Sequence, residues 1–221
     1  KTMDSLVSGD RVEITSTDPG FPRDAAAWCN STGNQLISKE TAGGKSVVVI
    51  EKGEPKSCNI VTSCEGKGKT FIMFSDDLDK ALATFVLANG AAATGQKVTI
   101  FFTFWGLNVI KKLHKPNVEK DIFGKMFGMM LPSSSRKLKL SKMSMGGIGG
   151  KMMRYIMNRK GIDSLESLRQ QALENGVEFI ACQMSMDVMG VKQEELLDEV
   201  TIGGVATYME RADNANINLF I

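Results

Sequence analysis

Apolar and polar positions follow two different rhythms along this chain, and the change of rhythm divides it. From Arg11 to Ser16 (RVEITS) the apolar residues come at every second position, the period of a half-buried strand. Asp18, Pro19 and Gly20 then predict a turn, and Asp24 to Asn30 a helix. Gln35 to Glu40 and Ser46 to Glu51 (SVVVIE) predict a hairpin closing on Gly43 and Gly44. Past residue 69 the strands are apolar on both faces: Thr70 to Phe74 (TFIMF), Val98 to Thr103, Val177 to Cys182 (VEFIAC) and a last one from Asn218 to Ile221. Helices are predicted near Asp79 to Thr94, Ser164 to Asn175 and Val205 to Ala212. Doubly apolar strands separated by helices predict an α/β fold, a Rossmann-like layer sandwich with a mostly parallel sheet.

Residues 51 to 69 carry Gly, Pro, Ser and Lys without apolar periodicity, which predicts a linker. The expected division is a small α+β unit over 1–53, a connection over 54–68 and a larger α/β domain over 69–221. A unit of about fifty residues is near the lower limit for an independent core, and this one reads as incomplete. The opening KTMDSL looks like the end of a helix without its beginning, so a fragment of a longer polypeptide is expected. Residues 114–161 form a long insertion rich in Met, Gly and Lys, with weak patterning, which predicts a lid, a partner surface or a mobile segment.

Composition narrows the class. With 43% hydrophobic and 24% charged residues, disorder, collagen and disulfide scaffolds are excluded. The 27 basic and 25 acidic side chains give no global basis for nucleic-acid binding. The stretch Val98 to Ile110 is well short of the roughly 20 residues that cross a bilayer. No signal-peptide pattern opens the sequence and the four cysteines are scattered, so a reducing cytoplasm is the expected setting. The net charge of +2 hides a cancellation: −1 over 1–110, +11 over 111–160 and −8 over 161–221. Attraction between the basic insertion and the acidic last third predicts a flap held over that third, or assembly of subunits.

In an open parallel sheet, ligands gather beyond the carboxyl ends of the strands. Three segments qualify: Ser75 to Asp77, Phe104 to Gly106, and Cys182 to Ser185. At the third, Ser185 is the expected N-cap of a helical turn, whose N–H groups would stabilise a Cys182 thiolate. The residues alone leave Cys182 between a nucleophile and a small buried hydrophobe. Cys29, in AAAWC, reads as core packing. Cys58 and Cys64 are spaced too widely for a zinc pair and leave a reversible disulfide or thiol relay as their chemistry. His114 is the only histidine, which excludes multi-histidine metal sites and argues against histidine-based catalysis. Asp76 and Asp77 read as helix N-terminal residues before catalytic acids. The run GGIGG (Gly146 to Gly150) lacks the Gly-Lys-Ser/Thr ending of a phosphate loop. The methionines of the insertion read as flexible apolar packing rather than Cu(I) ligands, and neither a cofactor nor a metal is expected.

The segments FSDDLDKALATFVLANGAAATG, VTIFFTFWGL, KMSMGGIGG, ACQMSMDVMG and TIGGVATYMERADNANINLFI, in this order, resemble the DsrE/DsrF-like family in its subgroup with a long Met-rich insertion. The first unit, through LVSGDRVEITSTDPGFPRDAAAWCNSTGNQLIS and VVVIEK, is similar to the second half of a TusA-like (SirA-like) domain. The Cys-Pro-x-Pro motif of such domains is absent, and Cys29 does not replace it, so the small unit is expected to be inactive in sulfur relay. The resemblance implies that Cys182 is the reactive cysteine, accepting sulfane sulfur as a persulfide. It also implies sulfur donor and acceptor partners, proteins or small persulfides, with a flavin-dependent disulfide reductase and a rhodanese domain in the same polypeptide. A homo-oligomer is expected.

The resulting expectation is a sulfurtransferase or sulfur carrier, with Asp77 and Lys80 orienting donor groups and Trp105 and the Met-rich segment shielding the persulfide. The alternative is a module without turnover, whose insertion docks an acidic partner or an anionic membrane.

Overall fold

The computed structural model describes residues 6–17, 20–53, 68–114, 116, 118–120 and 122–221. The Asp18-Pro19 pair, most of the KTMDSL opening, and Cys58 and Cys64 with residues 54–67 lie outside the described residues. The first unit contains β1 (Arg11–Ser16), α1 (Phe21–Thr32), β2 (Gln35–Ala42) and β3 (Lys45–Glu51). Strand β3 lies in the middle, antiparallel to both neighbours, because its alternate residues Val48 and Ile50 bury against Ala25 and Cys29 of α1. Gly43 and Gly44 stand at φ 59° and 74°, the left-handed pair that a two-residue hairpin requires. Helix α1 begins three residues before the apolar periodicity suggests, since Pro22 suits a first helical turn.

The second unit is built on β4 (Gly68–Met73), α2 (Leu78–Ala93), β5 (Val98–Phe102), α3 (Ile122–Met130), α4 (Ile148–Arg159), α5 (Leu165–Glu174), β6 (Glu178–Cys182), α6 (Gln183–Met189), β7 (Thr201–Gly203), α7 (Val205–Asp213) and β8 (Ala215–Phe220). Its five strands are parallel in the order β7-β6-β5-β4-β8. The fold is the expected Rossmann-like α/β sandwich, with one edge strand more than the pattern of apolar runs suggests. Strand β7 has only three residues, Thr-Ile-Gly, too few to carry a period. The insertion is also more ordered than its patterning suggests: α3 and α4 lie inside it, and Leu138, Leu131, Leu140 and Met153 pack into the main core.

Two successive side chains of β6 point to opposite faces, and this sorts the molecule. Phe179 and Ala181 join Phe85 of α2, Phe102 of β5, Ala172 of α5 and Leu138 of the insertion in one core cluster. Ile180 and Cys182 join Phe101 of β5 and Tyr208 of α7 in another. The right-handed rule for parallel crossovers explains the sorting. From β4 to β7 the chain moves one way across the sheet and stacks α2, α5 and α6 on one face. The step from β7 back to β8 runs the other way and puts α7 on the opposite face.

The small unit docks on that second face, where α1 packs on α7. Asp24 of α1 accepts hydrogen bonds from the Gly204 N–H (2.9 Å) and the Thr207 hydroxyl (2.6 Å), so it caps α7 from the other unit. Arg23 donates to the Ile202 carbonyl of β7 at 2.7 Å. A Cβ at residue 204 would stand 2.1 Å from the Asp24 carboxylate, which is why glycine begins α7. Replacing a capping carboxylate by alanine removes about 1 kcal/mol. Asp24→Ala is expected to lose about that much in urea denaturation; an unchanged midpoint would refute the cap.

Candidate functional site

The loops leaving β6 and β7 depart to opposite faces, α6 toward the main core and α7 away from it. Such divergence opens a crevice at the carboxyl end of a parallel sheet, the usual place for a ligand. Cys182 ends β6 there and pairs in register with Gly203 of β7. The structure corrects the helix start: Cys182 itself is the N-cap of α6, with φ −70° and ψ 114°, and its side chain makes no capping hydrogen bond. Ser185 lies one turn in, fully buried, its hydroxyl 2.7 Å from that of Thr103 at the end of β5. Its role is to tie α6 to β5. Cys182 is 2% exposed, beside Tyr208 of the helix that Asp24 caps. Cys29 is buried in the small core as expected, and burial pushes its thiol pKa up.

Asp77 and Lys80 are brought together, but with each other. Their ion pair of 2.8 Å sits at the start of α2, and the Ser75 hydroxyl donates to the Asp77 carboxylate at 2.7 Å. Trp105 instead faces a cleft of about 530 Å³ together with Asp76, Met129, Met130, Lys137 and Lys139. Cys182 is not among its lining residues. Among the described residues the Met-rich segment does not lie over the thiol: its buried residues pack on the face opposite Cys182, and it approaches the Cys182 segment at the far end of α6. There Gly190, at φ 61°, lies so close to Gly124 of α3 that a Cβ would stand 2.5 Å from the Gly124 Cα. Lys112–Asp198 (2.7 Å) and the buried Lys120–Glu195 pair (2.5 Å) hold the start of the insertion to the acidic last third. Within GGIGG, Gly146 and Gly147 stand at φ 67° and 97°, and a Cβ at Gly149 would meet the Met143 carbonyl oxygen at 2.1 Å, so turn and packing explain the run.

Asp76, which sequence reasoning set aside as a helix terminus, lines the cleft with Trp105. The Asn108 amide donates to the Asp76 carboxylate at 2.9 Å, while the Asn108 carbonyl oxygen is buried without a partner among the described residues. Burial raises the Asp76 pKa, and repulsion from Asp77 adds to it, against the Asn108 hydrogen bond. A raised carboxyl favours the folded state below its ordinary pKa of about 3.9, and that contribution is lost as pH rises through the folded value. Asp76→Asn is accordingly expected to stabilise the chain at pH 7 and leave it unchanged near pH 3. Thermal unfolding of both chains across that range checks this, and parallel curves would refute it. Among the described residues no group of three or more His, Cys, Asp or Glu could hold a metal ion, and no helix is long and apolar enough to cross a membrane.

A parallel five-stranded sheet with a cysteine at its carboxyl crevice, preceded by an α+β unit, defines the class. The chain belongs to the DsrE/DsrF/DrsH-like family, whose model matches residues 66–220. Residues 1–52 match the model of the sulfurtransferase TusA. YrkE of Bacillus subtilis (strain 168), an uncharacterized protein, is 44% identical over 155 residues, covering 70% of this chain and 97% of its own. The sulfur carrier protein DsrE2 of Allochromatium vinosum is 38% identical over 161 residues, 71% of this chain and 99% of its own. The sulfur carrier protein TusA of the same organism is 36% identical over 52 residues, 24% of this chain and 68% of its own.

Proposed function

We propose that the chain is a sulfur carrier that takes sulfane sulfur on Cys182 and relays it to a partner thiol. The observation that supports this best is a free cysteine at the sheet's carboxyl crevice, in a chain whose two parts are similar to two sulfur carrier proteins. The Cys182 thiolate attacks the outer sulfur of a persulfide R–S–SH; the new S–S bond forms, the old one breaks, and R–S⁻ leaves with the electron pair. The acceptor thiolate repeats the step, so no external oxidant enters. Donors and acceptors are partner proteins or small persulfides, including a flavin-dependent disulfide reductase and a rhodanese-type domain, in a reducing cytoplasm. Residues 1–53 and 69–221 act as two units joined by 54–68, and copies of the chain assemble as an oligomer. Cys58 and Cys64 serve as an accessory thiol relay. Because Cys182 is buried beside Tyr208, loading follows an outward movement of α7. Peptide mapping after treatment with a persulfide donor tests the reading: the Cys182 peptide gains one sulfur, and Cys182→Ser abolishes the gain.

The same burial favours a second reading, a docking module without turnover. Met129 and Met130 are 88% and 77% exposed within a segment holding 13 basic and 2 acidic residues (111–160). That reading requires binding to an acidic partner or anionic vesicles that survives Cys182→Ser.

A further inference from the structure

The cleft beside Trp105 has a composition that the relay at Cys182 does not use. Its volume of about 530 Å³ is that of a site for a small molecule. One wall is basic. Lys137 and Lys139 flank the buried Leu138, so they face outward together, and among the described residues neither makes an ion pair. The Asp76 carboxyl, an acceptor for N–H groups, lines the same cleft and is backed by the Asn108 amide. The thioethers of Met129 and Met130 also line the cleft, as does the half-exposed Trp105, whose ring is stacked on Phe104 at 5.8 Å. Thioethers and aromatic faces form a soft, polarisable lining that suits sulfur.

We propose that this cleft binds a carboxylate-bearing thiol of about tripeptide size, its carboxylates on Lys137 and Lys139, an amine or amide N–H on Asp76 and its sulfur among Trp105, Met129 and Met130. The charged end follows from the two lysines and Asp76 alone; the choice of a sulfur ligand rests also on the relay reading. Lys137 and Lys139 line one cleft with Asp76 because the insertion returns to the start of α2. The Leu78 N–H donates to the Lys139 carbonyl at 2.7 Å, and the Ser141 N–H to the Asp79 carboxylate at 2.9 Å, which fixes that return.

Reduced glutathione is a suitable probe, since it carries two carboxylates, an amine, amides and a thiol. The full chain carrying Cys182→Ser and Trp28→Phe leaves Trp105 as the only tryptophan and removes persulfide formation from the measurement. Glutathione is expected to change Trp105 fluorescence saturably. Lys137→Gln with Lys139→Gln is expected to weaken binding about tenfold, as for the loss of two charge-assisted contacts. Lys142→Gln with Lys160→Gln, exposed lysines outside the cleft, is expected to leave it unchanged. No saturable signal, equal weakening by both pairs of substitutions, or displacement by inorganic phosphate at equal concentration would overturn the assignment. Persulfide loading of Cys182 in the Lys137→Gln, Lys139→Gln chain reports on the relay separately. With Lys137 and Lys139 in place, loading from inorganic polysulfide without glutathione binding overturns the cleft assignment alone; glutathione binding without loading of Cys182 in the parent chain overturns the relay alone.

Discussion

A persulfide donor is expected to add about 32 Da to the peptide containing Cys182, one sulfur atom, and to add nothing there in the Cys182→Ser chain. Mapping rather than intact mass is needed because the chain has four cysteines. Cys29 is a poor competitor: it is 2% exposed, and burial raises its pKa and lowers its thiolate fraction. Cys182 is equally buried but sits beside Tyr208 of α7, a helix whose first turn is held from the small unit. The start of α7 is capped by Asp24 from the small unit, and its Arg211 is bound to Glu178 of β6 at 2.8 Å. Loosening the cap should expose the sulfur, so the Asp24→Ala chain is expected to load several-fold faster than the parent. Donor treatment that modifies Cys58 or Cys64 and spares Cys182 would sink the assignment of the carrier. Loading of Cys182 at the same rate in both chains would remove α7 from the opening step while leaving the carrier in place.

Gly106→Ala is expected to cost about 3 kcal/mol, at the upper end of what overpacking does. A Cβ at this position would lie 1.9 Å from the Met73 carbonyl oxygen and 2.7 Å from its carbon, both backbone atoms. Neither side has room to yield. The Met73 oxygen accepts from the Thr103 N–H at 3.1 Å, and the Gly106 N–H donates to Phe74 and Thr103 at 2.9 and 3.0 Å. The turn after β5 therefore has to break its own hydrogen bonds to admit one methyl group. For a domain of this size the melting temperature should fall by roughly 10 °C, and Trp105, the preceding residue, should leave its stack on Phe104. Gly90→Ala is the control, because its Cβ would meet nothing within 4 Å on α2. There the better helix former should add about 0.5–1 kcal/mol. Equal melting temperatures for Gly106→Ala and the parent would refute the close approach.

Much of the fold is legible before folding because it is written in local periods. The alternation in RVEITS and SVVVIE, and the doubly apolar runs ending at Phe102 and Cys182, are properties of neighbouring residues. So is Cys182 as a candidate, since it follows directly from where an apolar run stops. Strand β7 escapes this reading because three residues have no period. The start of α6 escapes it because backbone geometry, not side-chain preference, made Cys182 rather than Ser185 the N-cap. The helices of the insertion escape it because their apolar residues are divided between packed positions, with Met153 and Met157, and exposed ones, with Met129 and Met130.

By itself, then, the sequence determined the α/β class, the parallel sheet and the family resemblance, and it put forward Cys182 as a candidate. Tertiary structure decided which residues meet. The handedness of the crossovers sent α7 and the small unit to the face of Cys182 and the insertion to the other, so the basic flap and the thiol are separated by the sheet. The same folding brought Asp76 into one cleft with Lys137 and Lys139, residues about sixty positions apart whose convergence no local period records.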